Sequence, residues 1–290
     1  MLPNFIIVGA PKAGTTSLHK YMDEHPDVFV STPKEVNFFS YDELSRQNLV
    51  YDDFRCEDLA AYEALFAPAG DAKAVGEASV SYLFYPQTPA KIKQTIPDVK
   101  IIMILRDPIK RGFSHWLMDH RLGWCKSSYE DILDGKAPAD QQAVYYQQYV
   151  ELGLYHDQVK RYLDLFGENN VKVYLQEDLF ADMSAVMRDV FEFLQIDPDF
   201  KPDLDKKYNT FQSPKNSLIG KLYSSYWLRQ LGKKLFPGSL KSKVKSLLFE
   251  KGKKPELSDA LHKRLLAIYK DDIIKLEQLI ERDLSKWYAA

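Results

Sequence analysis

Short apolar runs alternate with segments whose apolar positions recur at helical spacing from Phe5 to about residue 195. Phe5-Ile6-Ile7-Val8 ends at Gly9, and from Gly14 onward Leu18, Tyr21 and Met22 fall on one helix face, which predicts strand, tight loop, helix. The unit recurs where Lys100–Leu105 leads into Arg106-Asp107-Pro108 and a helical pattern to about Arg121. Proline suits that first turn because the N–H it lacks would have no partner there. Val28-Phe29-Val30, Ala74-Val75-Gly76 and Val171–Leu175 read as further strands, with helical patterns at about 58–66, 86–96, 145–166 and 182–195. Such alternation predicts an α/β fold, a central parallel β-sheet flanked by helices on both faces. Ligands of such sheets sit at the carboxyl ends of the strands.

Beyond Asp197 the pattern changes. Residues 203–220 are polar and loop-like, and 232–254 carry lysines at 233, 234, 241, 243, 245, 251, 253 and 254 against one acid, Glu250. From Ser258 to about Trp287, Leu261, Leu265, Ile268, Ile273, Leu276 and Ile280 keep helical spacing. With no internal repeat and no low-complexity linker, the reading is a single domain over 1–290 with a helical C-terminal part.

Composition narrows the function. Lys+Arg 39 against Asp+Glu 41 leave a net charge of −2, without the broad positive field that draws a protein onto nucleic acid. Hydrophobic residues at 45% and charged residues at 28% exclude disorder along the whole chain. The two cysteines, Cys56 and Cys125, form neither a disulfide scaffold nor a metal-ligand spacing. No apolar run approaches the roughly 20 residues of a membrane span, and the start lacks the pattern of a secretory leader. The expectation is a cytoplasmic enzyme without a membrane span or a nucleic-acid partner.

The loop after the first strand, Gly9-Ala10-Pro11-Lys12-Ala13-Gly14-Thr15-Thr16, keeps the glycine spacing of a phosphate-binding P-loop. The lysine expected directly after the second glycine is Thr15, and the loop's cation stands earlier, at Lys12. Consecutive N–H groups and a helix N-terminus still suit a phosphate. A nucleotide triphosphatase also needs a strand ending in Asp to hold Mg²⁺, whereas Ile101–Leu105 ends in Arg106, which suits an anion. The inference is a phosphate-bearing nucleotide whose reaction needs no metal. A P-loop kinase or NTPase, and a non-catalytic nucleotide-binding module, are the alternatives.

Pro11-Lys12-Ala13-Gly14-Thr15-Thr16-Ser17 resembles the 5′-phosphosulfate loop of sulfotransferases that use 3′-phosphoadenosine 5′-phosphosulfate (PAPS). Arg106-Asp107-Pro108-Ile109-Lys110-Arg111-Gly112-Phe113-Ser114 resembles their 3′-phosphate motif, R-D-P-x-x-R-x-x-S. Lys34-Glu35-Val36-Asn37-Phe38-Phe39 is similar to the K-E-x-x-F-F segment of the heparan sulfate branch, and Lys251-Gly252-Lys253 to its K-G-R cofactor loop. The resemblance implies that Lys12, Ala13, Gly14, Thr15, Thr16 and Ser17 hold the 5′-phosphosulfate, that Arg106 and Ser114 hold the 3′-phosphate, and that Lys251, Gly252 and Lys253 close over the nucleotide. PAPS is then the donor and adenosine 3′,5′-bisphosphate (PAP) the product. Where heparan sulfate enzymes have E-K-[ST]-P-x-Y, Glu77-Ala78-Ser79-Val80-Ser81-Tyr82 lacks both lysine and proline.

Sulfuryl transfer needs an acceptor oxygen in line with sulfur, a base for its proton and positive charge at the departing phosphate. Lys12 is assigned to the departing 5′-phosphate and Glu35 to the base. Glu77 is either a second acid of the crevice or a buried acid paired with a base. Arg111 either reaches the nucleotide or pairs with an acid, and His115 and His120 are read as structural. The acceptor is a small molecule or glycan: a hydroxyl, or secondarily an amine, of a carbohydrate or a small lipid-, sterol- or phenol-like compound. Its pocket is expected from loops around 36–57, 77–86, 123–150 and 203–232. The oligomeric state is left open.

Overall fold

A computed structural model describes residues 1–49, 54–206, 208, 213–214, 249–250 and 255–289. The chain forms two compact units, one of residues 1–111, 154–208 and 269–290, the other of 112–153 and 209–268.

The first unit is built on five strands, β1 (Phe5–Gly9), β2 (Val28–Val30), β3 (Ala74–Ala78), β4 (Lys100–Leu105) and β5 (Val171–Leu175). They lie in the order β2-β3-β1-β4-β5, and every neighbouring pair is parallel. β1 is buried at all of its positions, and β4 at all but Lys100. A parallel strand covered on both faces has no solvent side to be polar, which is why these strands read as unbroken apolar runs. Gly76 of β3 faces Phe5 of β1 so closely that a Cβ there would lie 2.4 Å from the ring.

The connections are helical. In chain order they are α1 (Thr15–Met22), α2 (Tyr41–Arg46), α3 (Leu59–Ala64), α4 (Thr88–Thr95), α5 (Pro108–Arg121), α6 (Tyr129–Leu133), α7 (Gln142–Tyr149), α8 (His156–Phe166), α9 (Gln176–Ala181), α10 (Met183–Leu194), α11 (Asp259–Ile280) and α12 (Ser285–Tyr288). The β1-to-β2 crossover runs one way across the sheet and the β3-to-β4 crossover the other, so right-handed connections put α1 and α4 on opposite faces. α10 packs beside α1 and α8 beside α4. In α10 the Asp182 carboxylate caps the N–H of Ala185 at 3.0 Å, while Val186, Met187, Val190, Phe191 and Leu194 are buried at helical spacing.

Three expectations change. The helix expected over 145–166 is two helices, α7 and α8, separated by a 3₁₀ turn at Glu151–Gly153. Asp272, far away on α11, accepts the N–H groups of Tyr155 at 2.7 Å and His156 at 3.3 Å, so α8 starts afresh on a carboxylate supplied from elsewhere. The last helix stops at Ile280; Glu281 turns left-handed at φ 51° before α12 restarts. The loop expected over 123–150 contains α6 and α7. The second unit also holds β6 (Ser213–Pro214) and β7 (Phe249–Glu250), an antiparallel pair. Inside it Tyr129 donates to the carbonyl of Tyr149 at 2.8 Å, and Trp116 lies parallel to Tyr129, with ring centroids 5.9 Å apart. Among the described residues no helix is long and apolar enough to cross a membrane.

Candidate functional site

Because all five strands are parallel, their carboxyl ends share one edge, and the loops after β1, β2 and β4 hold the predicted residues Lys12, Glu35 and Arg106. β1 bulges just before its loop: Ile7 pairs with Ile102 and Gly9 with Met103, and the N–H of Ala10 then bonds Ile104 O at 2.8 Å. Two positive φ values make the turn, Lys12 at 69° and Gly14 at 115°. Gly14 occupies the N-cap of α1 without a side-chain cap, so the first-turn N–H groups, followed by the hydroxyls of Thr15, Thr16 and Ser17, have no covering side chain from that position.

Arg106 leaves β4 beside this loop. Its Nη1 donates to the carbonyl of Lys12 at 2.9 Å, and Gln176, first residue after β5, donates from Nε2 to the same oxygen at 3.5 Å. Burial holds the Arg106 guanidinium below its usual pKa, and its Nε is buried without a hydrogen-bond partner. Tyr155 donates to Arg106 O at 3.1 Å.

Glu35 follows β2. One carboxylate oxygen pairs with Lys34 Nζ at 2.5 Å, and the other accepts the N–H of Val80 at 3.2 Å. It stays partly exposed, with 36% of its side chain accessible.

Glu77, on β3, is fully buried, and three hydroxyls hold it. Tyr62 and Tyr82 donate to Oε1 at 2.7 and 3.0 Å, and Ser79 to Oε2 at 2.6 Å. Burial pushes its carboxyl up to about 7 against the opposing pull of the hydroxyls, with a further upward push from Glu35. A buried acid was among the expectations for Glu77; a basic partner was also expected, and hydroxyls take that place.

Ser114 lies on α5 in the second unit, and Arg111 is wholly buried at the end of the first. Lys251, Gly252 and Lys253 lie outside the described residues. His115 is buried with Nδ1 3.2 Å from Gln148 O, and His120 stacks on Trp116 at 5.0 Å. Cys56 and Cys125 are both free and buried.

A family model described as "Sulfotransferase family" matches residues 3–201, which takes in all five strands and the loops after them. The chain belongs to the sulfotransferase family. The crystal structure of a sulfotransferase from Alicyclobacillus acidocaldarius is 33% identical and superposes with a TM-score of 0.73 over 99% of both chains. Human bifunctional heparan sulfate N-deacetylase/N-sulfotransferase 3 is 26% identical over 97% of this chain and 30% of its own length. Mouse carbohydrate sulfotransferase 15 is 26% identical over 68% of this chain and 44% of its own. The chain therefore spans less than half the length of these two relatives.

In this chain the sequence motifs named Lys12 and Arg106 but missed Gln176 and Tyr155, which hydrogen-bond them. Gln176 was findable as the polar residue directly after the fifth apolar run. Tyr155 carried no signal, because only folding brings it under Arg106.

Proposed function

We propose that this chain transfers the sulfuryl group of PAPS to a hydroxyl of a carbohydrate by in-line displacement. The observation that carries the reading is the half-buried Arg106 guanidinium beside the loop of Lys12, bonded to that loop through Nη1 and keeping a buried Nε without a partner. A half-buried cation with a spare donor next to an uncapped helix start fits a phosphate ester. When bound, PAPS supplies an activated sulfuryl group on a 5′-phosphate.

Lys12, Ala13, Gly14, Thr15, Thr16 and Ser17 hold the 5′ end with N–H groups, hydroxyls and the Lys12 charge, and Arg106 anchors the 3′-phosphate. Glu35 takes the acceptor's proton as the new oxygen–sulfur bond forms and the bond to the 5′-phosphate breaks, the charge left there being met by Lys12. Both Glu35 oxygens already hold one donor each, and each keeps a further lone pair for the incoming proton.

The carbohydrate acceptor is supported by the names of the relatives, and an amine acceptor is the second reading because relatives aligned over 97% of this chain are named N-sulfotransferases. The test is turnover with PAPS and a panel of glycans bearing free hydroxyls or free amines, with PAP as product. We expect acceptor-dependent PAP release, lowered about 10²–10⁴-fold in Glu35→Gln. Stabilisation by ATP–Mg²⁺ without stabilisation by PAP would favour the kinase reading instead.

A further inference from the structure

We infer that Glu77 is a positioning residue that holds the segment bearing Glu35 through two hydroxyls. The inference rests on reading Glu35 as the base, and it assigns to Glu77 a role apart from contact with the reacting atoms. Two backbone N–H groups of the Glu35 segment point at hydroxyls that belong to the Glu77 cluster. Asn37 N–H donates to Ser79 Oγ at 2.9 Å, and Phe39 N–H donates to Tyr82 OH at 3.3 Å. Each hydroxyl has a single hydrogen, and each gives it to Glu77. With its hydrogen so committed, each oxygen turns a lone pair toward the N–H it must accept. The carboxylate thus fixes the direction of both hydroxyls, and they fix the backbone two and four residues after Glu35.

The same segment is held by rings and by its neighbours. Phe38 stacks on Tyr62 at 4.6 Å, and Phe39 packs edge-on against Tyr62 at 5.3 Å and Tyr82 at 5.6 Å. Ser81 Oγ donates to Asn37 Oδ1 at 2.7 Å. Val80, between Ser79 and Ser81, supplies the N–H that Glu35 itself accepts. Glu77 therefore supports Glu35 from two sides, through the turn 79–82 and through the backbone of 37–39.

A carboxamide at position 77 breaks this logic, because its NH₂ is a donor and cannot accept the hydroxyl hydrogen that the carboxylate oxygen in its place accepts. Facing Ser79, it competes with Asn37 N–H for the Ser79 oxygen and leaves the Ser79 hydrogen without its acceptor. Ser79→Ala removes the Asn37 bond outright and disturbs the carboxylate less. Three measurements separate the outcomes: kcat with PAPS and the working acceptor, the Kd of PAP, and hydrogen exchange at the Asn37 and Phe39 amides.

We expect Glu77→Gln and Ser79→Ala each to lower kcat about tenfold, in the range that slight misplacement of a catalytic group produces. PAP affinity should stay within twofold, and exchange at Asn37 should rise. Adding Glu77→Gln to Glu35→Gln should cost nothing further, since it acts through a base already removed. Full additivity in that double variant, or wild-type kcat and exchange in both single variants, overturns the inference. Should Glu77→Gln fail to fold, Ser79→Ala carries the same test. If Glu35→Gln keeps wild-type kcat, the assignment of the base fails, and the amide exchange of Asn37 still decides whether Glu77 holds this segment.

Discussion

Arg106 Nη1 and the carbonyl oxygen of Lys12 lie 2.9 Å apart, a hydrogen bond that joins the end of β4 to the loop after β1. The bond links the two basic residues of the proposed donor site through one residue's side chain and the other's backbone. Removing the guanidinium takes away the proposed phosphate contact and the hydrogen bond to the turn that carries Lys12.

Arg106→Ala is therefore expected to weaken PAP binding, measured by calorimetry, by about 10–100-fold, the equivalent of the roughly 1.5–3 kcal/mol of a hydrogen bond to a charged group. Arg106→Lys should recover part of it, keeping the charge and losing the forked geometry. Wild-type affinity in Arg106→Ala would remove Arg106 from the site.

Lys12 sits at φ 69°, a left-handed conformation that lysine and alanine both adopt at a cost and glycine adopts freely. Lys12→Ala and Lys12→Gly should each lower kcat about 10²–10³-fold, as expected when a donor at a developing negative charge is lost. Equal losses in the two would place the effect in the ammonium group. Recovery in Lys12→Gly alone would place it in backbone strain and count against the assigned role.

Glu77 and His19 make opposite contributions to stability as pH changes. Burial raises the Glu77 carboxyl to about 7, so the folded state holds that proton more tightly than the unfolded state and this group's contribution falls as pH rises from about 4.5 to 7. The difference in unfolding free energy between wild type and Glu77→Gln should shift toward the variant by about 3 kcal/mol between pH 4.5 and pH 8. A difference independent of pH, read from denaturant melts, contradicts the buried carboxylate.

For His19 the sign is reversed. Burial first, then the fields of Lys34 and Lys20, hold it down at about 3, so its contribution is complete above pH 6.5 and is lost as pH falls toward 3. Relative to His19→Gln, wild type should lose roughly 3 kcal/mol between pH 7 and pH 4. Parallel melting curves for the two proteins across that range would show that His19 titrates normally.

Gly76→Ala places a Cβ 2.4–2.6 Å from three atoms of the Phe5 ring at the centre of the sheet. The expected loss is about 1–3 kcal/mol of overpacking, visible as a lower Tm. Phe5→Leu in the same chain should recover part of it, and an unchanged Tm for Gly76→Ala would mean the two strands lie farther apart.

Much of this protein was legible in its residue order because the deciding interactions are local or repetitive. Strands buried on both faces are apolar at nearly every position, Glu77 of β3 being the buried exception, so the core of each appears as a run, although β1 and β3 extend one and two residues past theirs. The proposed donor loop shows itself because the turn needs Gly14 and places Lys12 and Thr15 at fixed offsets from it. Arg106 shows itself as a cation ending an apolar strand. What the residue order left open was decided by partners far along the chain. Asp272 starts α8 in the middle of an expected helix, Tyr155 reaches Arg106, and Tyr62, Ser79 and Tyr82 close around Glu77. A buried charge or an unpaired N–H does not choose its partner by sequence spacing; it takes whichever complementary group the packed sheet and helices bring within hydrogen-bond reach.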